Sequence, residues 1–396
     1  MNIATRLLLA IGTLLLVTGC ATAPPAPMAP ATDLFSDSTF RAPARPVRSD
    51  QVFALSGAMK AHLDSAPFRS QLRLAGPQRG LFDALYKKGE LKLEYDAAVT
   101  RDAAATFAAK KGNCLSLVIM TAAFAKALGV DVNFQAVLVD EQWSRTGNIY
   151  IASTHVNLSL PINTDSVSSY SRAHHSLTID FLPPDEASQL GTKLLDEETI
   201  TAMYLNNRAA EELAANRLDD AYWWARAAIE KSPSFVVAYN TLGVVYQRHG
   251  DMLMAERVYK RALEREREDT IVMHNLVPVL AHLGKTEEST AMAARLASIE
   301  PTPPFYYFTK GMKAMGEGRY ADAKSLFGRE VKRSPYYHEF HFWLALAHLN
   351  LGESRAAGDE LKLAVDTSTT ENSTRLYSAK LNNLRAQAAV ATRRAF

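Results

Sequence analysis

Cysteine is nearly absent: Cys20 and Cys114 are the two in 396 residues. Excess charge of one sign is missing as well. Lys and Arg number 44 against 42 Asp and Glu, a formal net charge of +2, and no long Lys/Arg run occurs. Electrostatic capture of a phosphate backbone has no footprint here, which argues against a dedicated nucleic-acid binder. The apolar run Leu7 to Val17 is too short for a comfortable membrane span. What is plentiful is core material: 47% of residues are apolar and 22% charged. A chain of this length suggests two or more domains.

The first residues, "MNIATRLLLAIGTLLLVTGC", carry one early arginine, Arg6, then the apolar run, and close on Val17-Thr18-Gly19-Cys20. This tetrad resembles a bacterial lipobox; the alternative is an uncleaved apolar anchor. The resemblance implies a signal peptide over 1–19, a diacylglycerol on Cys20 and residence at an envelope membrane. Ala21 in place of an aspartate points, by the usual sorting pattern, to an outer-membrane lipoprotein facing the periplasm. Cys114 is then the only thiol of the mature chain, with no intramolecular partner in an oxidising compartment. Such a thiol is either buried and inert or kept for a purpose.

The Pro/Ala-rich stretch "ATAPPAPMAPATD" opens a tether over 20–48 with little to bury, expected to stay extended or disordered. From Ser49, Val52, Phe53, Leu55, Met59 and Leu63 recur at helical spacing, and further helical signals cover Leu81 to Lys88 and Asp102 to Lys110. Past Gly129 the period changes. "VDVNFQAVLVD", "NIYIASTHVNLSLP" and "HSLTIDFLPP" read as strands. Helices followed by antiparallel-looking strands make an α+β domain over 49–190.

From about Thr201 strand signals vanish. Gly250, Gly284, Gly318 and Gly352 stand 34 residues apart, and Ala221, Ala255, Ala323 and Ala357 share a second phase with Ser289 in the missing slot. Pro233, Pro301 and Pro335 fit a third, broken by Arg267. This resembles the tetratricopeptide repeat, with about five copies over 200–370 and a capping helix over 371–396. The resemblance implies an all-α solenoid and a protein or peptide partner.

Gly112-Asn113 is good helix-start chemistry, which sets Cys114 in a first turn where the helix dipole favours a thiolate. A nucleophile needs a base and the base an orienter. His155 lies in a strand, sharing its face with Asn157 and Ser159, and Asp180 lies in a later one, where a carboxylate is costly to bury without a partner. "GNCLSL", "HVNLSL" and "IDF" together resemble the transglutaminase-like domain of bacterial proteins that also carry tetratricopeptide repeats, over residues 80–185. The resemblance implies a Cys114–His155–Asp180 triad acting on an amide or thioester-type carbonyl, with no cofactor and no metal. A second oxyanion donor beside the Cys114 N–H could be Gln78, Tyr95 or Trp143; spacing does not rank them. The polar insert "PINTDSVSSYSRAHH" between His155 and Asp180 departs from the pattern.

His174-His175 reads as solvated, and His338, His341 and His348 as repeat-helix residues without a zinc pattern. The aromatic sets Tyr222-Trp223-Trp224 and Tyr306-Tyr307-Phe308 fit repeat interfaces, with a peptide groove as the alternative. Two functions follow: an envelope-anchored cysteine hydrolase or acyltransferase whose repeats recruit its substrate, or a non-catalytic lipoprotein scaffold.

Overall fold

The computed structural model describes residues 31–86, 93–96, 99–137, 142–146, 149–153, 155–162, 176–181, 191–368 and 371–394. The run Leu7–Val17, Cys20 and His174-His175 lie outside them. The chain divides into two units, Met1–Asp33 and Leu34–Phe396. Of the first, only 31–33 is described; everything below concerns the second.

The N-terminal part is built from helices α1 (Gly57–Asp64), α2 (Ala66–Tyr86), α3 (Ala103–Ala109) and α4 (Cys114–Ala127). The apolar period from Ser49 does not make one helix. Ser49–Gln51 is a short 3-10 turn, and α1 starts only after Ser56, whose hydroxyl caps the Met59 N–H. Helix α2 begins well before the expected Leu81 and is kinked at Gly76, which takes φ 76° ahead of Pro77. Helix α4 is the buried axis: Leu115 through Ala125 are all buried, which explains why its sequence is apolar all round.

Eight short strands are described: β1 (Glu94–Tyr95), β2 (Lys111–Gly112), β3 (Asn133–Val137), β4 (Gln142–Thr146), β5 (Ile149–Ser153), β6 (Val156–Pro161), β7 (Ser176–Ile179) and β8 (Thr192–Leu195). Strands β7-β6-β3-β8 form an antiparallel sheet, with Gln135 paired to Asn157 and Leu158 to Ile179. Helix α4 packs on β6. The stretch expected as one strand, 148–161, is two: β5 pairs with β4 as a hairpin, and β6 joins the sheet.

The C-terminal part is helical. The helices pair as α5 (Glu197–Ala214) with α6 (Leu218–Lys231), α7 (Val236–His249) with α8 (Met252–Arg265), α9 (Thr270–His282) with α10 (Thr286–Ile299), α11 (Tyr306–Gly316) with α12 (Tyr320–Arg333), and α13 (His338–Asn350) with α14 (Ser354–Asp366); the first three pairs stack on one another, as do the fourth and fifth. Helix α15 (Glu371–Arg394) packs on α14. Gly250, Gly284, Gly318 and Gly352 all have φ between 73° and 94°, the left-handed turn that ends the first helix of each pair. In the first pair that slot holds Asn216, at φ 58°. Gly243 serves a different need: a Cβ there would lie 2.3 Å from the Tyr259 ring, so its absence lets α7 and α8 touch.

The two parts meet along the first three pairs. Helix α4 packs on α5, and hairpin strand β5 packs on α7 and α9. Residues 34–48 are not a free tether. Leu34 and Phe40 are buried, and the segment lies against α6 and α7 through contacts a Pro/Ala reading of the region does not reveal.

Candidate functional site at the start of helix α4

Helix α4 opens on Asn113, whose Oδ1 accepts from the Ser116 N–H at 2.9 Å and from the Ser116 hydroxyl at 2.8 Å. The Asn113 amide donates in turn to Thr100 Oγ1 at 2.9 Å. Ser116 Oγ accepts the Arg101 N–H at 2.8 Å, and Glu211 Oε1, on α5, accepts the Thr100 N–H at 2.6 Å. Burial raises the Glu211 pKa, and its Thr100 and Arg208 partners counteract that. Gly112 allows this knot to close, since a Cβ would sit 2.7 Å from Ser116 Cβ. The first turn carrying Cys114 is thus fixed from both sides by hydrogen bonds that reach into the first repeat.

Cys114 is partly exposed and is a free cysteine. Its side chain lies near enough to the His155 ring to act on that ring's charge. His155 Nε2 lies 2.7 Å from Asp180 Oδ1. Asn157, two residues on along β6, donates from Nδ2 to Asp180 Oδ2 at 2.7 Å. Asn157 is 4% exposed and His155 7%. Burial works to lower the His155 pKa. The ring's hydrogen bond to Asp180, and the neighbouring Cys114 and carboxylate charge, override it and push the imidazole from 6.5 up to about 9. The structure therefore brings together Cys114, His155 and Asp180, and adds Asn157.

The three oxyanion candidates separate. Gln78 donates from Nε2 to the carbonyl of Pro161 at 2.7 Å, at the far end of β6 from His155. At about 3.3 Å per residue that end is roughly 20 Å away, so the Gln78 amide is committed elsewhere. Tyr95 is brought close in backbone: β1 runs parallel to β2 with Tyr95 paired to Gly112, two residues before Cys114. The next residue, Asp96, donates its N–H to the Gly112 carbonyl at 3.0 Å and is ion-paired to Arg101 at 2.9 Å. Trp143 lies in β4, opposite Ala152, in the hairpin that leads into His155. The Tyr95 and Trp143 side chains lie outside the described set.

The other histidines are tied down in the repeats. His341 faces Glu360 through Nδ1 and the Pro335 carbonyl through Nε2, both at 2.7 Å, while His338 faces Tyr377 and His348 faces Glu353. No cluster of metal-ligating side chains is found among the described residues.

With this geometry in place, comparison with known proteins bears on the C-terminal part. Residues 236–269 match the family model of the tetratricopeptide repeat. That segment is α7 and α8 with the turn that follows, and the stacked pairs on either side make the C-terminal part a tetratricopeptide-type helical solenoid. A heat shock protein sti1 homolog of Schizosaccharomyces pombe is 30% identical over 139 residues, 33% of this chain and 22% of that protein. The chain thus spans about a fifth of the length of this curated relative. Among solved structures, a thermophilic tetratricopeptide-repeat protein of Thermus thermophilus is 16% identical with a TM-score of 0.31, over 46% of this chain and 98% of its own. YrrB, described as a repeat protein with an unusual peptide-binding site, is 22% identical with a TM-score of 0.25, over 46% of this chain and 92% of its own.

Proposed function

We propose that this chain is a protein-binding scaffold whose tetratricopeptide-type solenoid supplies the recognition surface. The observation that carries this reading is the match at 236–269 within a run of five helix pairs. Such a stack offers a long, repetitive surface of the kind repeat proteins use to hold other proteins. The proposal includes attachment to an envelope membrane through an acylated Cys20, for which the support is the lipobox-like Val17–Cys20. One experiment addresses both parts: affinity capture from envelope fractions with the full chain, Cys114→Ala and Cys20→Ala. The Cys114→Ala chain should retain the same protein partner in the same amount, and the Cys20→Ala chain should move to the soluble fraction. No protein retained above the bare resin would overturn the scaffold, and an unmoved Cys20→Ala chain would overturn the anchor.

A second reading is favoured by a specific observation, the contact of Cys114 with a His155 already paired to Asp180. That geometry supports transglutaminase-like acyl chemistry on a protein or peptide. The sulfur attacks a carbonyl carbon, an S–C bond forms and the C–N bond breaks. The departing amine leaves with a proton from the His155 ring, which a ring pushed up to about 9 carries at neutral pH. Water, or a second amine, then displaces sulfur from the thioester, losing its proton to the neutral ring. The acceptor decides between hydrolysis and transfer. The test is Cys114 alkylation by iodoacetamide across pH. An imidazolium beside the sulfur should make the natural chain at least about tenfold faster than His155→Ala below neutral pH. Superimposable profiles would remove the catalytic reading and leave the scaffold.

A further inference from the structure

The segment that follows the N-terminal unit is held by the solenoid as a peptide is held by a receptor. Phe40, 5% exposed, stacks on Tyr222 with ring centroids 4.1 Å apart and planes 7° from parallel, and also meets Tyr246 and His249. The Tyr246 hydroxyl donates to the Leu34 carbonyl at 2.8 Å and accepts the Ser36 N–H at 3.1 Å. Asp37 Oδ1 accepts from the Tyr222 hydroxyl at 2.6 Å and lies 2.9 Å from Arg226 Nε, an ion pair off the line of that N–H. Arg226 also stands 5.0 Å over the Phe35 ring. The backbone is read as well. Asp219 accepts the Arg41 N–H at 3.0 Å, Asp220 accepts the Ala44 N–H at 2.8 Å, and Trp223 donates to the Arg41 carbonyl at 2.6 Å.

Two features separate this face from ordinary repeat packing. Tyr222, Trp223 and Arg226 occur together in one repeat only. In the 34-residue register, Tyr222, Trp223 and Arg226 are followed by Glu256, Arg257 and Lys260, then Thr290, Ala291 and Ala294, Lys324, Ser325 and Gly328, and Gly358, Asp359 and Lys362. A solenoid that stacks well without the aromatic pair elsewhere has no packing need for it here. The segment itself, moreover, contributes no α-helix and no strand, only the end of the 3-10 turn Ala31–Leu34 and the 3-10 turn Asp37–Thr39. Side-chain acceptors meet its amides one by one, and its buried anchors are Leu34 and Phe40.

We propose that the face formed by α6 and the C-terminal turn of α7 is a linear-peptide recognition site, occupied in cis by Leu34–Ala44 as an exchangeable strap. It takes a short peptide in which an acidic residue opens a 3-10 turn and an aromatic one follows three positions later, and a partner carrying that pattern would displace the strap. This inference rests on reading the solenoid as a protein-binding surface. Its test uses the chain's own segment as ligand, so its outcome is separate from whether any foreign protein is captured and from the chemistry at Cys114.

The experiment measures fluorescence anisotropy of a labelled synthetic peptide of residues 33–46 against three full-length proteins: the natural chain, a strap-released Asp37→Ala/Phe40→Ala chain, and that chain with Trp223→Ala added. The released chain should bind the peptide. The natural chain should bind it at least about 100-fold more weakly, because a tethered competitor acts at millimolar effective concentration. The added Trp223→Ala should abolish binding. A released chain that is folded by circular dichroism but does not bind overturns the proposal. So does equal binding to natural and released chains, which would place the peptide elsewhere, and so does binding that survives Trp223→Ala. A released chain that fails to fold also overturns it, since an exchangeable ligand is dispensable to the fold.

Discussion

Asn157 shows how much rests on one amide. Asp180 has two carboxylate oxygens to place: Oδ1 faces the His155 ring and Oδ2 takes the Asn157 N–H, each at 2.7 Å. With both oxygens engaged the carboxylate cannot turn, and the imidazole it faces is held toward Cys114. Asn157 is therefore a positioning residue. Asn157→Ala removes a buried hydrogen bond to a charged group, at a cost of about 1.5–3 kcal/mol. It should also bring the His155 titration midpoint, read by NMR of the ring protons, down from about 9 toward its ordinary 6.5. The sign for stability follows from the raised folded pKa. The charged pair contributes fully below the unfolded value of 6.5, and the contribution is lost as pH rises through about 9. Melting temperature should fall across that window in the natural chain and fall less in Asn157→Ala. An unchanged midpoint in the variant would reduce Asn157 to a space-filler.

At the scale of elements, what sequence spacing reveals depends on whether the signal is local. The four glycines at 34-residue intervals mark helix ends because left-handed backbone is a one-residue requirement, and each has the positive φ that spacing implies. The first repeat is harder to read since Asn216 replaces glycine there, tolerating the same conformation at some cost. The cap at Asn113 is equally local, and its side chain accepts from the Ser116 N–H as the helix-start pattern requires. Long-range pairings are less legible. Gln78 reads as a free amide near the site, yet the end of β6 claims it. The break between β5 and β6 is set by which partner strand each joins, and alternation within 148–161 does not contain that information. Residues 34–48 are the clearest case. Their composition suggests solvation, and the reason for them to pack lies far along the chain, in Tyr222, Trp223 and Tyr246.

At the scale of the whole molecule, the solenoid is supported unequally along its length. In a repeat array each unit leans on its neighbours, so stability varies with what else covers it. The first three pairs carry the N-terminal part: α4 packs on α5, β5 packs on α7 and α9, and the strap lies on α6 and α7. Glu211 on α5 also holds the Thr100 N–H, joining the first repeat to the loop before Cys114. The fourth and fifth pairs have their own core, centred on Phe308, Phe327 and Phe340, with α15 closing the end against α14. Opening α12 to α15 exposes that core and the small one at Ala345, Leu361 and Leu381, whereas opening α7 must also part the sheet hairpin and the strap. Native-state hydrogen exchange should therefore show slower amides in α7 and α9 than in α12 and α14. A separation of about tenfold or more corresponds to roughly 1.4 kcal/mol between the two opening reactions. Uniform protection from α5 to α14 would mean that the C-terminal pairs open only with the rest, and the N-terminal part would then add nothing to the repeats it covers.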